Sequence, residues 1–309
     1  MANSKQGAPR RQRRLRDPSK PLPRPFKRKG PVEEKKRRKA KRKHKKGKGV
    51  VGVDRREGKE ERREEQWEEE EEGGDVDRAD LSASSSFLLS TVPPAQQLRF
   101  FLKQFESAME FKMSSLERDA IKDTCIVKLP EGINQDVDNF CKHMKDTFGI
   151  SWKQVLCEGK LLEGKVVAGS PAVLIITTSA SRSLELLRGL RPLTRECHPL
   201  KLFAKHIKVD DQVSLLKNRV NIACGTPSRI KKLMDMEALG TSRLSLIVLD
   251  MQADAKCFSL FTLPQVRNDF WDLYQSHFHQ RLIQGDLRIC LYGPTSVLEF
   301  EKTERRDEL

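Results

Sequence analysis

Between residues 95 and 150 apolar positions recur with the period of a helix. Leu98, Phe101, Leu102, Phe105 and Met109 fall at i, i+3, i+4, i+7 and i+11, one face of a helix entered through Pro93-Pro94 with Ser90 or Thr91 as its cap. A second stripe, Val137, Phe140, Cys141, Met144 and Phe148, predicts a helix capped by Asn134 and ended by Gly149. Past residue 170 the pattern changes to short β-rich runs: Ala172 to Thr177, Leu200 to Ala204, Val220 to Cys224, Leu244 to Leu249 and Leu287 to Tyr292. Helical stretches lie between them: Ser179 to Leu190 (Leu184, Leu187 and Leu190 inward), Asp210 to Asn218, Thr226 to Leu239 and Pro264 to Gln284. Five strands alternating with four helices predict an α/β domain with a mostly parallel sheet.

The clearest unit runs from Arg219 to Met251. A strand turns at Gly225 into a helix with Thr226 at the N-cap and Pro227 at the first helical position. Ile230, Leu233, Met234 and Met236 mark its apolar positions, Gly240 ends it, and a second strand stops at Asp250. Two strands joined by one helix are parallel and covered on both faces, so a ligand would sit past their carboxyl ends, at 225–229 and 250–254.

Charge divides the chain unevenly. Residues 1–50 hold 22 Lys and Arg against 3 Asp and Glu, and residues 51–80 hold 6 against 14, so most of the formal +15 belongs to one end. The expected organisation is a disordered basic tail (1–50), a disordered acidic linker (51–85), the α/β domain (86–295) and a charged C-terminal tail (296–309). The basic block Lys35, Lys36, Arg37, Arg38, Lys39, Lys41, Arg42 and Lys43 reads as a nuclear-import address and a surface for phosphate backbones. Seven widely spaced cysteines form no metal-ligand pattern and read as reduced thiols. No apolar run has the ~18 residues of a membrane span, so no membrane association is expected. Arg306-Asp307-Glu308-Leu309 looks like a retrieval tag but, with no apolar entry signal ahead of it, is read as ordinary sequence.

Nucleotide chemistry has one near-match. Gly159-Lys160-Leu161-Leu162-Glu163-Gly164-Lys165-Val166 fits a phosphate loop until Val166, where a hydroxyl must reach magnesium. Asp250 stands where a magnesium ligand would, but Met251 follows it and cannot accept a proton. The expectation is a chain with no cofactor, no metal and no catalytic residue. His277 and His279, two apart on a helix, face different ways and make no metal pair. Arg182 and Arg229 near strand ends, with the start of the Thr226 helix between them, would make a patch suited to the phosphate oxygens of a nucleic-acid backbone, which Lys205 and Lys208 after a third strand extend.

Four segments carry a resemblance: Ala172 to Thr178, Ser181 to Glu185, Gly225-Thr226-Pro227-Ser228-Arg229-Ile230 and Leu246 to Asp250. Together they resemble the first RecA-like (P-loop-NTPase-like) domain of DEAD-box RNA helicases, as a degenerate copy lacking a functional phosphate loop. A closer similarity, from Leu202-Phe203-Ala204-Lys205-His206-Ile207-Lys208-Val209 through Lys231, is to the Cms-type ribosomal small-subunit protein family. That resemblance implies a nucleolar, non-catalytic RNA-binding or scaffold protein of the small-subunit precursor particle. Its implied partners are pre-rRNA and ribosome assembly proteins. The alternatives are a pure protein-interaction adaptor, docking through the Leu98 to Met109 face, and an atypical RNA-dependent ATPase.

Overall fold

The computed structural model describes residues 86–159 and 167–304, within one contact unit spanning Ala79–Leu309. The expectations for the basic tail, including Lys35 to Arg38, Lys39 and Lys41 to Lys43, for the acidic linker, and for residues 160–166 of the phosphate-loop near-match lie outside the described residues.

The domain is built on a five-stranded parallel sheet of β2 (Val173–Ile176), β3 (Leu200–Leu202), β4 (Ile222–Gly225), β5 (Leu246–Asp250) and β6 (Arg288–Tyr292), in the order β3-β4-β2-β5-β6. Alternate strand residues feed two separate cores. Leu174, Ile176, Ala223, Ile247, Leu249 and Leu291 point into one, and Val173, Ile175, Cys224, Val248, Cys290 and Tyr292 into the other. This is why the strands read as continuous apolar runs: a sheet covered on both faces has no side to leave polar.

The first core holds α1 (Pro94–Met109), α5 (Val209–Leu216), α6 (Pro227–Asp235), α7 (Pro264–Leu273) and α8 (His279–Ile283). Its densest part is aromatic, with Phe101 and Phe105 of α1 against Trp271 at 5.2 and 5.5 Å between ring centroids. The face of Leu98, Phe101, Leu102 and Phe105 is therefore covered by the domain itself, and the adaptor reading that offered it to a partner does not hold. After the short α2 (Ser115–Ala120), the second core takes α3 (Val137–Phe148) and α4 (Ala180–Gly189).

Several boundaries differ from the sequence pattern for local reasons. Pro93, not Ser90 or Thr91, precedes α1, and the Thr91 hydroxyl donates to the Leu88 carbonyl at 2.7 Å. Asp136 caps α3 in place of Asn134, accepting from the Asn139 amide at 2.8 Å. In α4 the buried apolar side chains are Leu186 and Leu187, beside buried Ser183, with Leu184 only half-buried. Helix α6 stops at Asp235, because the amides of Ala238 and Leu239 turn back to the Leu233 carbonyl, and Gly240 instead binds Gly169. Met236 is left half-exposed. The stretch from Pro264 is broken by a π turn, Tyr274–Phe278, before α8.

The boundary expected at 296 is also displaced. β7 (Pro294–Ser296) pairs antiparallel with β1 (Ser86–Leu88), and α9 (Val297–Glu304) follows directly. Phe300 packs on Phe87 and Phe100 at 5.2 and 5.6 Å. The Ser259 hydroxyl also donates to the Glu299 carboxylate at 3.3 Å, so strand pairing, ring packing and a hydrogen bond together hold this charged segment on the domain. Residues 305–309 lie outside the described residues.

Candidate functional site

Strand β2 is followed by α4 on one face of the sheet, whereas its neighbours β4 and β5 are followed by α6 and α7 on the other. Adjacent strands whose connections leave on opposite faces open a crevice at their carboxyl ends, the usual ligand position in such sheets. The sequence-predicted residues Arg182, Thr226, Arg229 and Asp250 all meet this edge, and the Thr177 amide donates to the Gly225 carbonyl at 3.0 Å across it.

Asp250 ends β5 with no exposed surface. Arg182, in the first turn of α4, grips it through two nitrogens: Nε to Oδ2 at 2.9 Å and Nη2 to Oδ1 at 3.1 Å. Nη1 of the same guanidinium donates to Glu185 at 2.8 Å. Burial pushes the Asp250 carboxyl up, and the Arg182 hydrogen bonds oppose that shift. On Arg182 burial acts downward, but Asp250 and Glu185 outweigh it and hold the guanidinium above its ordinary value. Met251 follows, fully buried. The arginine expected to reach RNA is thus spent on an internal ion pair.

Arg229 is also committed. Its Nη1 donates to the Gln212 side chain at 2.7 Å and to the Ile207 carbonyl at 3.2 Å. Gln212, fully buried, donates in turn to the carbonyls of Lys201 and Phe203. Burial lowers the Arg229 guanidinium. Arg229 therefore fixes the 204–208 loop rather than pointing at solvent as a free charge, and that loop presents Lys205 and Lys208 exposed. The positive surface is local, since Asp210 and Asp211 follow in the first turn of α5.

Thr226 is the N-cap of α6, as expected, but its hydroxyl makes no cap hydrogen bond. Pro227 has no N–H to offer, so the amides of Ser228 and Arg229 form the start of the helix, with no acidic residue in its first turn. Gly225 is required just before it: a Cβ there would sit 1.9 Å from the Leu202 carbonyl oxygen, which already accepts the Thr226 amide at 3.0 Å. The starts of α4 and α3 are capped by side chains. Ser179 accepts from the Arg182 amide at α4, and Asp136 carries a carboxylate at the start of α3.

Helix α3 supplies a part of the edge that the sequence pattern did not reveal. Ile126 bridges Ile289 in parallel, and the Val127 amide donates to the Ile289 carbonyl at 2.8 Å, so the chain at 126–127 lies against the outer edge of β6. The 130–136 loop and α3 follow from there. Gln135 fills that loop, its Oε1 accepting the Gly293 amide at 2.8 Å and its amide nitrogen reaching Ser90. The Tyr292 hydroxyl donates to the Asp136 carbonyl at 2.7 Å. The available signal was Ile126-Val127-Lys128-Leu129 followed by Pro130, Gly132 and Asn134, a short strand and turn. Asp254 accepts from the backbone amides of Lys256 and Phe258 in its own turn. His277 meets Asp235 and His279 meets the Tyr274 hydroxyl, two separate partners.

These features define a parallel α/β domain whose strand-end crevice is laced by internal polar contacts and flanked by a small basic loop. The chain belongs to the CMS1 family, U3-containing 90S pre-ribosomal complex subunit, whose model matches residues 27–292. Protein CMSS1 of Xenopus laevis is 30% identical over 203 residues, 64% of this chain and 68% of that protein. Protein CMSS1 of Homo sapiens is 32% identical over 182 residues, 58% of this chain and 61% of that one. Among solved structures there is a likeness to S. cerevisiae dbp5 l327v bound to nup159, gle1 h337r, ip6 and adp, with 13% identity and a TM-score of 0.34 over 67% of this chain and 49% of that one. A DEAD box protein from the hyperthermophile Methanococcus jannaschii gives 16%, a TM-score of 0.32, and coverage of 64% and 52%. The chain spans about half the length of both.

Proposed function

We propose that this chain is a non-catalytic subunit of the small-subunit pre-ribosomal particle in the nucleolus, holding RNA and assembly proteins together without turning over nucleotide. Its family supports the particle. The observation that carries the non-catalytic part is the Arg182–Asp250 pair, which fills the place where a strand-end carboxylate would face a bound magnesium ion. Two details support the same reading: Met251 stands where an acid would activate water, and Asp136 puts a negative charge at the start of α3.

The RNA-facing surface in this reading is the Lys205 and Lys208 loop with the amides at the start of α6, positioned by Arg229 and Thr226. Arg182 acts through Asp250, as a positioning residue. Crosslinking of the full chain to RNA in cells, mapped by peptide, tests it. Crosslinks at 204–208 or 226–229 are expected within pre-ribosomal RNA. Crosslinks to protein alone would overturn the RNA contact and leave a pure assembly role.

A further inference from the structure

At the opposite edge of the sheet, near the amino ends of the strands, a cavity of 540 Å³ lies between two irregular segments. One wall is the π turn Lys153–Cys157 with Trp152 ahead of it, and the other is the 3-10 turn Arg191–Leu193 with Arg195 and Glu196 behind it. A volume of this size suits a small ligand or one unit of a polymer.

The walls are held by buried polar groups. Asn221, just ahead of β4 and fully buried, donates to the carbonyls of Leu156 and Glu158 at 3.2 and 2.9 Å. Arg219, also buried, donates to the Gln154 carbonyl at 3.3 Å and to Asn221 at 3.0 Å, and lies 3.7 Å from the Glu158 carboxylate. Leu156 and Leu193 are buried beneath. The pocket is thus preformed by the fold, and one of its two carboxylates already faces a guanidinium.

What remains around it is an aromatic ring and cations. Trp152 is half-buried and lines the cavity, with the Lys145 ammonium 4.7 Å and the Lys153 ammonium 5.5 Å from its ring centroid. Lys153 and Arg195 are exposed at the rim, and Gln154 adds an exposed amide. We infer that this pocket takes an unpaired nucleobase of single-stranded RNA, stacked on Trp152, with the flanking phosphates on Lys153 and Arg195. An indole beside mobile cations is the combination that binds single strands without needing a sequence: the base has a π face for the ring, and the ammonium moves from ring to phosphate. Gln154 and Glu196 supply an amide and an acceptor for base edges. The surface is remote from the Lys205 and Lys208 loop, but it rests on the same reading that the chain meets RNA.

The test uses the full chain carrying Trp67→Phe, which leaves Trp152 and the buried Trp271 as emitters, titrated with a short oligouridine. Anisotropy of a labelled oligouridine follows binding, and indole emission follows stacking. The expected result is quenching that Trp152→Phe removes. Lys153→Glu with Arg195→Glu, both exposed, should raise the quenching midpoint roughly tenfold. Binding by anisotropy without quenching overturns the pocket and spares the RNA reading. No anisotropy change overturns both.

Discussion

Arg182 and Asp250 are separated by 68 positions in the chain, yet the arginine holds both carboxylate oxygens of the aspartate, at 2.9 and 3.1 Å, across the carboxyl ends of β2 and β5. These are adjacent strands at the place where connections leave the sheet on opposite faces. An ion pair internal to the chain therefore stands at the carboxyl end of this crevice.

The tie makes a quantitative expectation. Arg182→Ala leaves the buried Asp250 charge without its partner and should destabilise the domain by about 3–5 kcal/mol in a denaturant titration. Arg182→Met combined with Asp250→Leu should cost less than Arg182→Ala alone, because the second change removes the uncompensated charge. A double variant as unstable as the sum of the single ones would mean the two residues are not coupled.

Gly225 permits β4 to close on β3. Gly225→Ala would set a methyl 1.9 Å from the Leu202 oxygen, and the backbone would have to shift to relieve it. An unfolding loss of about 1–3 kcal/mol or more is expected. Amide exchange should quicken first at Thr226, whose bond to Leu202 is the one displaced.

Stability should fall on mild acidification through His279. Burial lowers its imidazole below the ordinary value of 6.5, with the Glu117 charge acting weakly the other way. Its neighbours are Tyr274, which shares a 2.9 Å hydrogen bond, and the Phe105 ring at 5.3 Å. The unfolded chain takes up this proton first, so stability is intact above 6.5 and is lost as pH drops through the folded value. Urea midpoints at pH 7.5 and 5.5 should differ more for the native chain than for His279→Gln. An equal shift in both would assign the pH effect to other groups.

The strands and most helices were legible because a doubly covered sheet writes apolar runs and its helices write stripes. What failed to show was whatever depends on a single residue or on distant partners. Phe300 packs a charged end onto Phe87 and Phe100 beside the β1–β7 pair, and Ile126 meets the sheet through one bridge. Arg182 and Arg229 were rightly placed at the strand ends, but their acceptors, Asp250 and Gln212, come from other elements. Spacing along the chain says where an arginine emerges. It does not say what the fold puts in front of it.

If the 204–208 loop meets RNA, Lys205→Glu with Lys208→Glu should weaken binding across sequences. The slope of log K against log salt should fall by roughly 0.7 for each lysine on a single strand. An unchanged slope would remove both lysines from the interface.

The most direct test is phosphate release from ATP by the purified full chain, with and without single-stranded RNA. The proposed non-catalytic role predicts release no greater than in buffer, unchanged by Asp250→Asn or Lys165→Ala. RNA-stimulated release that either substitution abolishes would contradict it and make the chain a nucleotidase.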